Sequence, residues 1–360
     1  MITPIIVILS TAPGDLALRH MTVNDAHTLA KFLDQHYSLS EQLIISYPIP
    51  LVAWLLSTPD SISIGLFSRD GKIAGCICAV PSPLTCAPCT VEVSLLCVRR
   101  DLRRTGVARN LLTSLTSAAV SRGVRTAIFT SAHQRAGLKP LLRIPWYHRP
   151  LHLNRLLRSR YFQLDDTMFI TCDLRRIWRR ILPPKIDQLR LRPLGRADEK
   201  ACIALLRSGG SIHRGIRMTP SIENFRHRFC AAPGSHAFVL IARNGEVRGF
   251  ASFQLLPIRC AEQRLQVVQA ILTAFVLADT TEEAIGNTAD GILSSLLLRA
   301  RKCGAHIFNA LPLNHLSRER LEAFGFLPGD GLVNVYAKTV CGRLELEGDA
   351  RLTWWWPLVF

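Results

Sequence analysis

The segment from Thr90 to Leu112 contains residues whose types and spacing could bind an anionic cofactor. It begins as a strand that is apolar on both faces and ends in a short basic turn, Arg103-Arg104-Thr105-Gly106. From Ala108 onwards, apolar residues recur at helical spacing. The first N–H groups of a helix have no partner within the helix and lie at the positive end of its dipole. This segment therefore predicts a strand, a phosphate-binding turn and a helix.

The pattern Arg-x-x-Gly-x-Ala at residues 103–108 resembles the turn with which GNAT acyltransferases bind the pyrophosphate of coenzyme A (CoA). An ordinary strand-to-helix turn with solvated arginines would have the same local sequence. The rest of the chain must therefore distinguish between these two interpretations.

Composition indicates a globular protein with an anionic partner. The chain has 360 residues, of which 48% are hydrophobic and 20% are charged, and its formal net charge is +17. This length allows two domains, and the positive charge favours a nucleotide cofactor, the ribosome, RNA or a membrane face as partner. No aromatic RNA-binding motif accompanies the arginines, so RNA binding is the weaker hypothesis and DNA binding is not expected.

The cysteines indicate a reducing compartment. Their number, 11, is odd, and we find no signal peptide and no apolar run of membrane-spanning length. Cys86 and Cys89 form a Cys-x-x-Cys pair, but no second pair completes a zinc site. We therefore expect a cytoplasmic protein without a bound metal.

The order of predicted elements occurs twice. Arg-Asp-Gly-Lys-Ile-Ala-Gly at 69–75, a predicted hairpin turn, matches Arg-Asn-Gly-Glu-Val-Arg-Gly at 243–249. Ser-Arg-Gly at 121–123 matches Lys-Cys-Gly at 302–304, and each triplet ends a predicted helix. We therefore expect an α/β fold of two GNAT-like halves related by a pseudo-twofold axis, with mixed sheets flanked by helices. The predicted units are residues 1–173, a linker at 174–190, and residues 191–360.

The two copies differ at the turn that matters for phosphate. Where the first half has its basic turn, the second has Asp-Thr-Thr-Glu-Glu at 279–283, before a helix predicted from about Thr288 to Lys302. Acidic residues repel phosphate. We therefore expect one coenzyme site, in the first half, and a different, cationic ligand in the second.

Four segments resemble motifs of the N-myristoyltransferase family. They are Glu-Val-Ser-Leu-Leu-Cys-Val at 92–98, Gly-Cys-Ile-Cys-Ala-Val-Pro at 75–81, Trp-Tyr-His-Arg-Pro-Leu at 146–151, and Phe-Gly-Phe-Leu-Pro-Gly-Asp-Gly at 324–331. The resemblance extends in order from about Thr22 to Tyr336. The family's N-terminal Phe-x-Trp-Asp segment has no counterpart near residues 16–21, and its acidic peptide-binding loop is reduced after His36-Tyr37.

This resemblance implies transfer of myristate from myristoyl-CoA, as a co-substrate and with no permanently bound cofactor, to the N-terminal glycine of proteins. It implies that the amides of Leu95 and Leu96 form an oxyanion hole, that Thr130 lies near the amine, and that the C-terminal carboxylate, here on Phe360, is the base. The residues implied for the coenzyme are Tyr37, Cys97, Val98, Arg103, Arg104, Thr105, Gly106, Val107 and Ala108. Those implied for the peptide are Trp146, Tyr147, His148, Thr273, Asn309 and Asp330.

Three alternatives remain open from the sequence. The chain could be a GNAT-type enzyme for another acyl chain or amine, an inactive relative that binds acyl-CoA or peptides, or a basic RNA- or ribosome-binding protein. For the transferase we expect a monomer with no transmembrane segment whose partners are acyl-CoA, N-terminal glycine peptides of nascent proteins and, through its charge, the ribosome.

Overall fold

The computed structural model describes residues 7–8, 16–37, 43–82, 89–132, 134, 137–161, 190–208, 219–260, 265–278, 282–312 and 315–339. The strands in these ranges are β1 (Val7–Ile8), β2 (Leu16–His20), β3 (Leu43–Ile45), β4 (Ile62–Ser68), β5 (Ile73–Pro81), β6 (Thr90–Val98), β7 (Thr126–Ser131), β8 (Leu142–Pro150), β9 (Arg190–Pro193), β10 (Ser235–Ile241), β11 (Val247–Cys260), β12 (Gln266–Leu277), β13 (Ile307–Ala310) and β14 (Leu327–Thr339). The helices are α1 (Ala26–His36), α2 (Ile49–Leu56), α3 (Val107–Ser121), α4 (Leu153–Arg158), α5 (Glu199–Ser208), α6 (Ile222–Phe225), α7 (Glu282–Lys302) and α8 (Arg318–Ala323). A π-helical turn, Arg226–Cys230, continues α6.

All fourteen strands join one mixed sheet. Its order is β1-β2-β4-β5-β6-β7-β14-β8-β13-β12-β11-β10-β9, and β3 pairs with β11. Strand β14 of the second half pairs with β7, and β8 of the first half pairs with β13. Since β8 and β14 also pair with each other at the centre, the two halves exchange their last strands. The linker predicted at 174–190 lies almost entirely outside the described residues, so the domain boundaries stay a prediction.

The duplication is visible in two local features that occur in both halves, a hairpin turn at glycine and an Arg–Asp ion pair. The β4–β5 and β10–β11 hairpins turn at Gly71 and Gly245, whose φ angles of 76° and 85° favour glycine. In each half an arginine donates two hydrogen bonds to an aspartate six residues later. These pairs are Arg19 with Asp25, at 2.6 and 3.0 Å, and Arg192 with Asp198, at 2.7 and 2.8 Å.

The sheet of the first half is covered on both faces because β5 is apolar on both. Cys76, Cys78 and Val80 belong to the larger core, which contains α1, α2 and much of the second half. Ile77 and Ala79 face the smaller core, where α3 contributes its own apolar stripe. Strands β5 and β6 therefore lie between two packed layers, one of which contains α3.

The predicted hairpins, the strand at 90–98 and the helix after the basic turn are confirmed. The prediction that the second-half helix begins at about Thr288 was wrong, since α7 begins at Glu282. Glu282 and Glu283 are its first residues, where negative charge stabilises a helix through its dipole. Strands β8 and β14 were not predicted from the sequence.

We predict that Asp198→Asn lowers the free energy of unfolding at pH 7 by about 2 kcal/mol, because Asp198 is buried and accepts charged hydrogen bonds from Arg192. The hydrogen bond from Arg192 holds the pKa of Asp198 below its ordinary value. Stability from this carboxylate is therefore present above about pH 4 and is lost as pH falls through the lowered pKa. Urea unfolding at pH 7 and pH 3 checks this.

The matched control is Asp60→Asn, at an exposed turn position that Asn also tolerates with positive φ. Its unfolding free energy should change by less than about 0.5 kcal/mol at either pH. An equal loss for both variants at pH 7 would contradict the assignment.

Candidate active site

Strand β6 carries a β-bulge at Leu95 and Leu96. Cys97 pairs with Cys76 and Ser94 with Cys78, so two residues of β6 lie opposite Ile77 alone. Leu95 is fully buried and has a φ of 53°, a strained conformation for a leucine that the surrounding core must maintain. Such a bulge removes backbone groups from the ladder and re-aims them. Leu95 and Leu96, the residues predicted to form an oxyanion hole, therefore lie at an interruption of the regular ladder.

The bulge lies where β6 separates from β7. Their parallel pairing extends from Thr90–Thr126 to Val93–Phe129, and β7 continues beside β14. Strand β6 runs on past this point to Val98. A wedge therefore opens between the two strands at the bulge. Thr130, predicted to lie near the amine, is half-buried on β7 one residue beyond the last β6 partner.

The basic turn begins α3 as the sequence predicted. Arg104 and Gly106 have φ angles of 68° and 91°, and residues 103–106 are exposed. The first intrahelical bond that closes on this turn runs from Asn110 N to Gly106 O, so the amides of Val107 and Ala108 precede it. Amides at such a helix terminus are able to bind an anion, as the sequence predicted for this turn. Nothing lies within 4 Å of a Cβ placed on Gly106, so its conformation and not space calls for glycine.

Arg103 and Arg104 occupy different environments. The Arg103 guanidinium donates to the carbonyls of Val98, at 3.3 Å, and His36, at 3.1 Å. It thereby ties the turn to β6 and to the end of α1. Arg104 is exposed. Both predicted phosphate ligands are therefore exposed, and Arg103 has a positioning role in addition.

Tyr37 and Cys97 line the buried side of this site. The rings of Tyr37 and Tyr47 meet edge to face at 5.9 Å, and both tyrosines pack in the larger core. Burial raises the pKa of the Cys97 thiol to about 12 and that of Cys76 well above its usual range. Cys76 Sγ donates to the carbonyl of Leu95 at 3.3 Å. These thiols are protonated at neutral pH and are therefore poor nucleophiles.

His148 begins a polar chain across the central strands. It pairs with Asn309 in the ladder, and its Nδ1 lies 2.8 Å from Asn309 Oδ1. The Asn309 amide nitrogen donates to Gln269 Oε1 at 2.7 Å. Asn309 Oδ1 therefore accepts from His148, which places a proton on Nδ1. A Cβ at Gly329 would overlap the edge of this ring.

Of the other residues predicted to bind the peptide, Tyr147 and Thr273 are buried and Trp146 is half-buried. Tyr147 is fully buried, and its hydroxyl donates to Glu322 Oε1 at 3.3 Å. Thr273 is buried with its Oγ1 2.6 Å from Ser252 Oγ, at a bulge of β12. Trp146 is half-buried on β8, opposite the irregular part of β14 that contains Asp330. The Asp330 side chain and the whole of residues 340–360, including Phe360, lie outside what the structure describes.

Three features near the site were not predicted from the sequence: Gln269, the close approach at Gly329, and a buried ion pair between Glu92 and Arg228. Glu92 left a signal, because it is an acidic residue inside an apolar strand. Arg228 left none among so many arginines. In the ranges given above, no group of three or more His, Cys, Asp or Glu residues could hold a metal ion, and no helix is long and apolar enough to span a bilayer.

Comparison with known proteins places this geometry in a family. A model of the N-terminal domain of the myristoyl-CoA:protein N-myristoyltransferases matches residues 13–137, and a model of their C-terminal domain matches residues 171–337. The chain belongs to the N-myristoyltransferase family. The resemblance inferred from its motifs is thereby confirmed.

The similarity to individual relatives is low. Glycylpeptide N-tetradecanoyltransferase 2 of Danio rerio is 26% identical over 276 residues, which are 75% of this chain and 53% of that protein. The probable glycylpeptide N-tetradecanoyltransferase of Caenorhabditis elegans is 27% identical over 252 residues, 68% of this chain and 52% of that protein. The chain thus spans about half the length of these curated relatives.

The fold agrees with the family. The crystal structure of Saccharomyces cerevisiae N-myristoyltransferase with bound myristoyl-CoA aligns with a TM-score of 0.77 and 20% identity, over 93% of this chain and 84% of that one. A tandem GNAT protein from the clavulanic acid biosynthesis pathway aligns with a TM-score of 0.56 and 13% identity, over 91% and 100%. The predicted fold of two GNAT-like halves is confirmed.

We predict that Gly106→Ala raises the Kd for CoA roughly tenfold, because a Cβ disfavours the positive φ and misaligns the first amides of α3. Isothermal titration calorimetry measures this. Gly71→Ala is the matched control, since Gly71 also has positive φ and nothing within 4 Å of a Cβ but lies in the β4–β5 hairpin. It should be destabilised to a similar extent while the Kd stays unchanged. Equal Kd values for the two variants would show that this turn does not bind phosphate.

Proposed function

We propose that this protein transfers myristate from myristoyl-CoA to the N-terminal glycine amine of proteins. The observation that carries the proposal is the strained bulge at Leu95 and Leu96 beside the basic turn, within a chain that both family models match. In this arrangement the first half binds acyl-CoA and the second binds the peptide, within the units 1–173, 174–190 and 191–360.

The proposed chemistry is a direct attack of the amine on the thioester carbon. The amides of Leu95 and Leu96 stabilise the oxyanion of the tetrahedral intermediate, which a preorganised site does at no cost of reorganisation. The new C–N bond forms, the C–S bond to CoA breaks, and the departing thiolate takes up the second proton that the nitrogen loses, so that CoA leaves as the thiol. The amides of Val107 and Ala108, with Arg104, bind the pyrophosphate and fix the thioester beside the bulge.

The amine must lose a proton to attack, because an α-ammonium group has a pKa near 8. The family resemblance assigns this proton to the carboxylate of Phe360, and Thr130 lies near the wedge from which the amine would approach. His148, held by Asn309, is proposed to contact the peptide. We further propose a cytoplasmic monomer that meets its substrates near the ribosome, to which the net charge of +17 would attract it.

The first test is release of CoA thiol from myristoyl-CoA with a glycine-initiated peptide, compared with an alanine-initiated peptide. We expect turnover only with glycine. A chain extended by three residues past Phe360 should bind myristoyl-CoA normally and lose turnover at least about 100-fold, because the carboxylate moves away from the amine. Turnover that the extension leaves intact would exclude this carboxylate as the base.

Other results would point to the other functions. Turnover with acetyl-CoA or octanoyl-CoA but not myristoyl-CoA would indicate a different acyl specificity. Binding of myristoyl-CoA without turnover of any amine would indicate an inactive relative, and binding of RNA in place of acyl-CoA would overturn the transferase.

We predict that Gly329→Ala raises KM for the peptide about tenfold with an unchanged Kd for myristoyl-CoA, because the new methyl group displaces the His148 ring. Steady-state kinetics with varied peptide measure this change. Gly331→Ala is the control, since its Cβ would meet Trp146 Cδ1 at an ordinary 3.5 Å. A similar KM for the two variants would remove His148 from the peptide site.

A further inference from the structure

Arg228 is a cation of the second half that is buried against the first. It lies in the π-helical turn, and 7% of it is exposed. Its Nη2 donates to the carbonyl of Pro81 at 2.8 Å, and its Nη1 lies 3.6 Å from Oε1 of Glu92. A guanidinium out of water requires such partners. The contact therefore joins the halves through a dry ion pair.

Glu92 depends on this cation. It lies on β6 with 2% exposed, and Ser82 Oγ donates to its Oε1. Its Oε2 is buried and has no hydrogen-bond partner among the described residues. Burial raises the pKa of Glu92, and the charge of Arg228 opposes that rise. The guanidinium of the other half therefore stabilises the ionised form of this buried carboxylate.

The π-helical turn also contacts the first half through His227, and these contacts position the backbone of Arg228. Trp54 Nε1 on α2 donates to the carbonyl of His227 at 2.9 Å. The His227 ring stacks on Trp54 with centroids 4.9 Å apart, and its Nε2 lies 2.9 Å from Thr58 Oγ1. Insertions of π-helical geometry occur often at functional sites.

Glu92 lies next to the point where β6 separates from β7. It pairs with Val80 of β5 and Ile128 of β7, and Val93 makes the last pair between β6 and β7. Two residues after Val93 the bulge begins. A cation bound both to Pro81 on β5 and to Glu92 on β6 therefore fixes these two strands at the start of the wedge.

We propose that Arg228 is a positioning residue for acyl transfer, which holds the bulge of β6 in register from the opposite half through Glu92 and Pro81. The proposal rests on the proposed function, since the bulge is there the oxyanion hole. A loss of this clamp should allow the Leu95 and Leu96 amides to move relative to the thioester. Acyl-CoA binding, which the basic turn determines, should change little.

The decisive variant is the double substitution Glu92→Gln/Arg228→Met, which removes both charges and leaves no ion buried alone. We expect it to fold, to bind myristoyl-CoA within threefold of wild type, and to lose kcat about 30-fold, since small misplacements at a site cost up to about 100-fold. Arg228→Lys, which keeps the cation, should recover part of that loss. Hydrogen exchange of the segment 93–98 should accelerate at least tenfold in the double variant.

Arg226→Met is the matched control, because Arg226 lies in the same turn but pairs with Glu199 at 2.8 Å with half of its side chain exposed. Its kcat and exchange should stay within twofold of wild type. A double variant with wild-type kcat and exchange would overturn the proposal. So would loss of an ionisation from the kcat–pH profile in Glu92→Gln alone, because Glu92 would then be a proton acceptor.

Different results would contradict the proposed acyl transfer and the positioning role of Arg228. If wild-type protein turns over no amine, the proposed function fails, whereas faster exchange of 93–98 in the double variant still shows that Arg228 holds the strand. If wild-type protein is active but the exchange is unchanged, only the positioning role fails.

Discussion

The exchange of the last strands is the constraint on which the rest of this structure depends. Without β14, the strand β7 would be an open edge, and so would β13 without β8. Open edges are aggregation sites, and parallel strands are stable only when they are covered and paired. Neither half can complete its sheet alone. Thr130 therefore lies beside Val335 of the other half, and His148 beside Asn309, so a site built on these strands requires both halves.

Because the fold is duplicated, each half has a wedge where two parallel strands separate, and the two wedges differ in the charge of the residues that follow them. The parallel pairing ends at Val93–Phe129 in the first half and at Ile271–Asn309 in the second. Each leading strand also carries a bulge close to this point, at Leu95 and Leu96 in β6 and at Thr273 in β12. A basic turn follows the first wedge and acidic residues open α7 after the second. The same backbone arrangement is thus followed by residues of opposite charge in the two halves.

Features set by neighbouring residues were predictable from the sequence. The Asp-Gly and Asn-Gly hairpins, β6 and α3 follow from turn chemistry and hydrophobic periodicity, and the motifs identified the family. Long-range features were not predictable in this way. Nothing in the local pattern of β8 or β14 says that each belongs to the other half's sheet, because only the three-dimensional pairing decides it. Arg228 is one of many arginines, and its role arises from a neighbour 136 positions away that only the fold brings into contact.

The protonation state of the site favours a direct transfer over a relay through the protein. The thiols nearest the bulge, Cys76 and Cys97, would be the natural covalent carriers for an acyl group, but burial keeps both protonated. Ser94, on the same strand, is buried, and its hydroxyl has no hydrogen-bond partner among the described residues that could act as its base. In the proposed direct transfer, stabilisation comes from fixed backbone dipoles, which are effective only if they are held in place before the substrate arrives. Leu95 is kept at positive φ by a packed core, and three residues before it Glu92 pairs with Arg228 of the opposite half, so this arrangement meets that requirement.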